Sequence, residues 1–300
     1  MAIKQVRAQV NGQWYTLTLQ SNGRYEASIT APGATSFNQP GGYYNVTVEA
    51  TNTAGTSQTA NADTLEGLKL YVKEKVPPVT TILSPSSGAY VTNNKQPVVF
   101  TITDEAGGSG VKLDSVVVKL DGTPVSAGEV THSAISNGYS FTYTPAQAMG
   151  DGNHTVTVDA TDNDGNAATQ KSTTFKVDTI PPVLNITSPT EGMITSAAAL
   201  TVSGTTNDAT SSPVTVTISL NGADQGTVTV GGDGSFSKSV TLREGANVIV
   251  VTATDEAGKS SSVTRNVTLD TSVPQIVSAT ITPNPVDAGQ TMLISVEVSG

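Results

Sequence analysis

Short runs in which apolar and polar residues alternate with a period of two recur along the whole chain. The clearest is HTVTVDATDNDGNAATQKSTTFKVDT at 154–179, which reads as a strand, an Asp/Gly turn and a returning strand. The same unit returns as NVIVVTATDEAGKSSSVTRNVTLDT at 247–271, and a looser copy opens YNVTVEATNTAGTSQT at Tyr44. Side chains two apart share one face of a strand. Aligning the copies therefore predicts nine core residues: Val156, Val158 and Ala160, then Ile249, Val251 and Ala253, then Val46, Val48 and Ala50. Their neighbours Thr155, Thr157 and Asp159 are expected in solvent, and Val248 and Val250 partly covered.

Proline pairs punctuate the pattern. Val76-Pro77-Pro78 returns as Ile180-Pro181-Pro182, 104 residues later, and Val273-Pro274 echoes it. Proline donates no hydrogen bond and keeps the residue before it extended, so each pair marks a boundary. After each pair the chain reads Ile, two residues, Pro, then Gly three on: Ile82…Pro85…Gly88 and Ile186…Pro189…Gly192. The predicted domains are 1–75, 76–178 and 179–271, with a C-terminal segment at 272–300. In the first, Asn11-Gly12 between VRAQV and QWYTLTLQ is a hairpin signal, because a type I′ turn needs two positive φ angles. RYEASITA and LKLYVKE are read there as further strands. The second and third offer PVVFTITD, GYSFTYTP, ALTVSGTT and PVTVTISLNG, all bounded by Gly, Asn, Asp or Pro. Roughly seven short strands per domain, with turns every ~8–12 residues, predict β-sandwiches. Residues 272–300 hold only two strands, a marginal fold by itself. Either the unit is completed elsewhere, or it pairs with the third domain or with another chain.

Composition sharpens this picture. Thr, Val, Ser, Gly, Asn and Asp dominate, and the apolar fraction is 36%. Thin sandwich cores tolerate so low a value. Net charge is −10 with 15 basic residues and no basic cluster, which argues against nucleic acid and anionic membrane as partners. No apolar run reaches the roughly 18 residues of a membrane span. MAIKQVRAQV lacks the apolar segment of a secretory signal, so the sequence read as it stands predicts a protein left in the cytoplasm that makes it. The absence of cysteine excludes disulfides, thiolate metal sites and cysteine nucleophiles.

The proline-led openings and the ATDNDGN and ATDEAGK hairpins resemble the bacterial Ig-like domains, firmly over 76–271 and loosely over 1–75, where Asn52 replaces the motif Asp. The resemblance implies an all-β chain of three tandem Ig-like β-sandwiches in an extended array, a rod on the order of 100 Å. With its MAIKQVRAQVNGQWYTLTL start, the first domain resembles Ig-like proteins encoded among prophage tail genes. That implies a phage virion protein: a non-enzymatic structural or attachment component of a tail or tail-like particle. Its first domain would dock on the particle and the later ones would project. Implied partners are other virion and tail proteins, further copies of the chain as a homo-oligomer, and host-surface glycans. The rival readings are a fragment of a bacterial surface adhesin or wall-associated protein, a capsid decoration protein, and an enzyme carrying these domains as accessories.

Candidate chemistry is sparse. Asp162-Asn163-Asp164-Gly165-Asn166 has alternating oxygen ligands in the manner of a calcium loop, but lacks the terminal Glu, and a hairpin turn needs the same residues. It is read as a turn, and no metal or cofactor is assigned. Asp104-Glu105 followed by GGSGV lacks the lysine and helix of a phosphate loop and is read as a flexible loop. His132 and His154 have no metal-binding spacing, and no G-x-S-x-G elbow occurs, so no catalytic residue is assigned. The acids are read as solubilising charge in turns. Trp14 and Tyr15 are the candidate binding residues. Alternation turns one of the two outward, and exposed aromatics stack on sugars or anchor interfaces.

Overall fold

The computed structural model describes residues 2–300 and is nearly all β. By density of contact the chain divides into two units, one ending at Val177 and one running Asp178–Gly300.

The first unit begins with a five-stranded antiparallel sheet in the order Tyr25–Glu26, Gln13–Leu19, Ile3–Val10, Thr47–Asn52, Ser57–Ala60. Asn11 (φ 47°) and Gly12 (φ 81°) close its first hairpin with the two positive angles that the dipeptide favours. Val6, Ala8 and Val10 are buried on one face, with Tyr44 and Ala62. RYEASITA contributes only Tyr25–Glu26 as strand. LKLYVKE contributes only Lys69–Leu70, which pairs with Tyr44–Asn45. The sheet is thus accompanied by a two-stranded pair rather than by a second full sheet. This corrects the expectation for Val46, Val48 and Ala50, which are half-buried.

The rest of the first unit is a sandwich. One sheet runs Val130–Ile135, Gly138–Tyr143, Val98–Thr103, Val79–Ser84. The other runs Thr123–Pro124, Val117–Leu120, Gly152–Asp159, Lys171–Val177, Tyr90–Val91. Between them lie Val98, Phe100, Ile102, Phe141, Tyr143, Val156, Val158, Phe175 and Val177. Phe100 and Phe141 are cross-strand partners, stacked with centroids 5.0 Å apart. The second unit repeats this plan with Val183–Ser188, Ala199–Asn207 and Ser235–Thr241 facing a five-stranded sheet centred on Gly245–Thr254 and Ser260–Leu269. The six aligned residues Val156, Val158, Ala160, Ile249, Val251 and Ala253 are all buried. Val250 is half-buried, whereas Val248 is exposed. Thr155, Thr157 and Asp159 are half-buried rather than free in solvent, because neighbouring strands flank them.

The proline-and-glycine opening has a structural task. Val79–Ser84 pairs antiparallel with Val98–Thr103 in one sheet, and Tyr90–Val91 pairs parallel with Lys171–Val177 in the other. The chain switches sheets across Pro85 and Gly88, the latter at φ 81°. Pro189 and Gly192 (φ 72°) do the same between Val183–Ser188 and Met193–Thr195. A residue without a donor and one that accepts positive φ suit a corner where ladder bonding must stop.

Residues 275–299 form a separate two-stranded antiparallel sheet, Gln275–Thr282 with Leu293–Ser299, and every residue of both strands is exposed. No helix among the described residues is long and apolar enough to cross a membrane.

Truncating Phe100 removes one member of a stacked pair from a closed core. Phe100→Ala is expected to cost about 3–5 kcal/mol, whereas Val79→Thr, at an exposed strand position, should stay within about 0.5 kcal/mol. Urea unfolding curves of the two variants check the contrast.

Candidate functional site

Trp14 and Tyr15 sit on adjacent positions of Gln13–Leu19 and face opposite ways, Trp14 exposed at 37% and Tyr15 half-buried. The Arg7 guanidinium lies 4.2 Å from the centre of the Trp14 ring, and Arg7 is itself paired with Glu49 at 3.0 Å. The indole is therefore one layer of a small ordered stack rather than a lone aromatic. The two histidines lie in opposite sheets. His154 has both ring nitrogens engaged at 2.8 Å, Nδ1 with Asp121 and Nε2 with the Gly150 carbonyl, and so holds a strand end in place. His132 packs edge-on against Tyr139, with centroids 5.5 Å apart.

Five aspartates depart from the reading of the acids as solubilising charge in turns. Asp104, Asp162, Asp178, Asp208 and Asp255 are all buried. Each accepts from backbone or hydroxyl donors of the neighbouring loops. Asp162 accepts from the amides of Gly165 and Asn166 at 2.6 and 2.8 Å and from the Asn166 side chain at 2.7 Å, so the DNDGN segment is a turn closed on its first residue. It also reaches outside itself. Asp164 accepts from the Thr35 hydroxyl at 2.6 Å and the Glu74 amide at 3.0 Å, and Asn166 donates to the Glu74 carbonyl. The turn thereby ties the segment before the first proline pair to the sandwich that follows.

Two sets of three carboxylates converge. In one, oxygens of Glu74, Asp104 and Glu105 lie within 4.8 Å of one another; in the other, those of Asp178, Asp208 and Asp255 do. Glu74 and Asp178 each stand four residues before the second proline of a pair, and Asp104 and Asp208 each directly follow a strand. A buried serine of the next loop holds the linker acid in both: the Ser109 amide donates to Glu74, and the Ser211 hydroxyl donates to Asp178. Asp104 also accepts from the Gly110 amide at 2.6 Å, and Asp208 from the amides of Thr210 and Ser211 at 2.7 and 2.6 Å. The GGSGV loop is accordingly anchored rather than loose, with Asn38 and Asn163 bonded to its carbonyls.

No ion pair among the described residues reaches any of these six acids. Like charges about 4 Å apart repel by roughly 4 kcal/mol at an effective dielectric of 20. Glu105 shows the strain: contact with Glu74, desolvation and Asp104 push its pKa up to about 7. Desolvation acts to raise Glu74 as well, but hydrogen bonds from Glu105 and Ser109 hold it below its usual value. One oxygen each of Glu74, Asp104 and Asp255 is sealed from solvent without a hydrogen-bond partner. Sequence inspection missed both clusters because their members come from segments far apart in the chain, two for Glu74, Asp104 and Glu105 and three for Asp178, Asp208 and Asp255. The recurrence of an acid before each proline pair was the one available signal.

A cleft of about 410 Å³ opens beside Asp104 and Glu105. Another, of about 480 Å³, is lined mainly by apolar residues, with Asp114 and His132 among them.

Residues 84–179 match a family model described as a bacterial Ig-like domain, and residues 182–271 match that of glucodextranase, domain B. Among solved structures, the chain is similar to fibronectin(III)-like modules of Clostridium thermocellum CbhA, at 17% identity and TM-score 0.40, over 64% of this chain and 94% of that one. It is also similar to immunoglobulin domains 1–5 of Sidekick-1, at 13% identity and TM-score 0.41, over 99% of this chain and 60% of that one. A 1.5-MDa bacterial ice-binding adhesin is similar at 21% identity and TM-score 0.34, over 90% of this chain and 88% of that one. No curated protein matches.

Glu74 and Glu105 titrate as a pair, and the folded pair keeps a proton to about pH 7 that an unfolded glutamate releases near 4.5. Stability is therefore present below the unfolded value and falls as pH rises from about 4.5 to 7. In buffer free of divalent cations the urea midpoint of the first unit should fall across that window, and Glu105→Gln should flatten the fall. An equal slope in the variant contradicts this assignment.

Proposed function

We propose that this chain, a tandem array of Ig-like domains, is a non-enzymatic structural and attachment element of a phage tail or tail-like particle. The observation that carries the non-enzymatic reading is the repetition of one closed sandwich. The same two-sheet plan, sheet-switching corner and filled core recur in both units, and neither cleft described above brings a serine and a histidine together. Catalysis needs such a convergence. What supports the tail, rather than another surface, is the resemblance of the N-terminal segment to proteins encoded among prophage tail genes. On this reading the N-terminal sheet docks on other tail proteins, the particle carries several copies, and Trp14 with Tyr15 offers an aromatic contact to a partner protein or a host-surface glycan. Many weak contacts on one particle would add up through effective concentration.

A second reading is a fragment of a bacterial surface adhesin or wall-associated protein, in keeping with the match of residues 84–179 to a bacterial Ig-like domain.

Gold-labelled antibody against the chain should decorate tails of particles purified from the producing bacterium. Label confined to the cell envelope would move the protein to the second reading, and label on capsids would make it a decoration protein. Panels of glycoside and peptide substrates should show no turnover with the purified chain; robust turnover would overturn the non-enzymatic reading.

A further inference from the structure

We propose that residues 275–299 are a dimerisation element, whose apolar face packs against the same face of a second copy of this chain. Residues directly opposite each other on paired strands share a face of the sheet. Ile276 lies opposite Val298, Ala279 opposite Val296, and Ile281 opposite Ile294, so six aliphatic residues line one side without interruption. Simple alternation does not show this, because Ile276 and Ala279 are three apart. A bulge at Val277 absorbs the extra residue and brings both to one side. The other side carries Ser278, Thr280, Ser295 and Glu297.

The apolar side is bare. Ile276 is 72% exposed and Ile294 is 57% exposed, and no residue of either strand is buried. Elsewhere in the chain such a face is closed: Val98, Phe100 and Ile102 lie against an opposing sheet. A lone two-stranded ribbon is marginal in water and persists when its apolar face is covered. The rest of the described chain supplies no cover, so the cover comes from another molecule.

The face itself selects that molecule. Joining two chains of net charge −10 requires a contact free of like charges. The six residues are uncharged, and the one acid on the two strands, Glu297, is on the opposite side, where Ser278 donates to it at 3.1 Å. A twofold axis near Ala279 and Val296, at the middle of the face, sets it against a surface of the same length and chemistry. The product is sheet on sheet, about 10 Å apart, which is how this chain already builds its cores. Two strands of this length bury on the order of 500 Å² per copy and 1,000 Å² in all, the lower bound of a specific interface. A dissociation constant on the order of micromolar follows. Other occupants fit less well. A strand added to an edge of the ribbon would leave the face exposed, and residues 272–300 hold no lysine or arginine to draw it onto an anionic membrane. The pairing is independent of the tail reading, since a wall-associated chain would dimerise through the same face.

The test is sedimentation equilibrium of the full chain from about 1 to 100 µM, a range that brackets the expected constant. The mass should rise from that of one chain to that of two. Val296→Lys puts an unpaired charge at the middle of the contact and should weaken association at least ~100-fold. Thr280→Lys, on the far side, should leave it within about twofold. The chain has no cysteine, so single-cysteine variants report the geometry directly, whether or not Val296→Lys still forms the ribbon. Ala279→Cys should link to its own copy through a bismaleimide spanning the roughly 10 Å between packed sheets, and Ser295→Cys should not. A single-chain mass throughout, a dimer that survives Val296→Lys, equal cross-linking at the two positions, or capture of the face by phosphatidylcholine vesicles in place of a second copy would overturn the proposal.

Discussion

A domain two sheets thick can hide only one face of each strand, and that constraint governs nearly everything else in this molecule. The inner positions must be apolar and close-fitting, as Val98, Phe100 and Ile102 are on one strand and Val156 and Val158 on its opposite number. The outer positions are left to Thr, Ser and Lys, which explains a chain that is only 36% apolar and yet has filled cores. Sheets this thin also have open ends. The loops that close them cannot rely on apolar cover, so they are held by hydrogen bonds to buried polar side chains. Ser109, Ser211, Asp162 and Asp208 are buried for that reason.

Closing the ends with carboxylates has a cost. An aspartate that accepts two or three amide hydrogen bonds is a strong organiser of a loop. Asp208 fixes Thr210 and Ser211 in this way, and Asp162 fixes Gly165 and Asn166. When a second and third acid arrive from neighbouring loops, repulsion grows while the donors do not increase in number. The raised pKa of Glu105 is the visible result at the more open of the two clusters.

The junction in the first unit shows how such an end can also join domains. Thr35, Asn38 and Glu74, from the N-terminal part, meet Gly108, Ser109 and Asp164 of the sandwich through direct hydrogen bonds. This surface is polar throughout, unlike the interior of either domain. Polar junctions respond to pH and ions where apolar ones respond mainly to area. Ionic conditions therefore act directly on the local order of this junction.

The strands were legible in the sequence because a period of two survives in any short window. The inward faces of the two later hairpins and the Asn11-Gly12 turn followed from that period and from the φ angles glycine and asparagine accept. The same logic placed Val46, Val48 and Ala50 fully inside, and there it failed. How deeply a strand face is buried depends on what lies opposite, and the N-terminal sheet has only a two-stranded pair beside it. The proline and glycine of the opening motif were visible as punctuation, but their use as a corner between sheets required the pairing of both flanking strands. The acid clusters lay furthest from what the sequence alone could decide. Asp178, Asp208 and Asp255 are separated by dozens of residues and sit in three different loops, so no spacing rule connects them. The sandwich topology brings those loops to one end, and only that meeting turns isolated turn residues into a concentrated negative site.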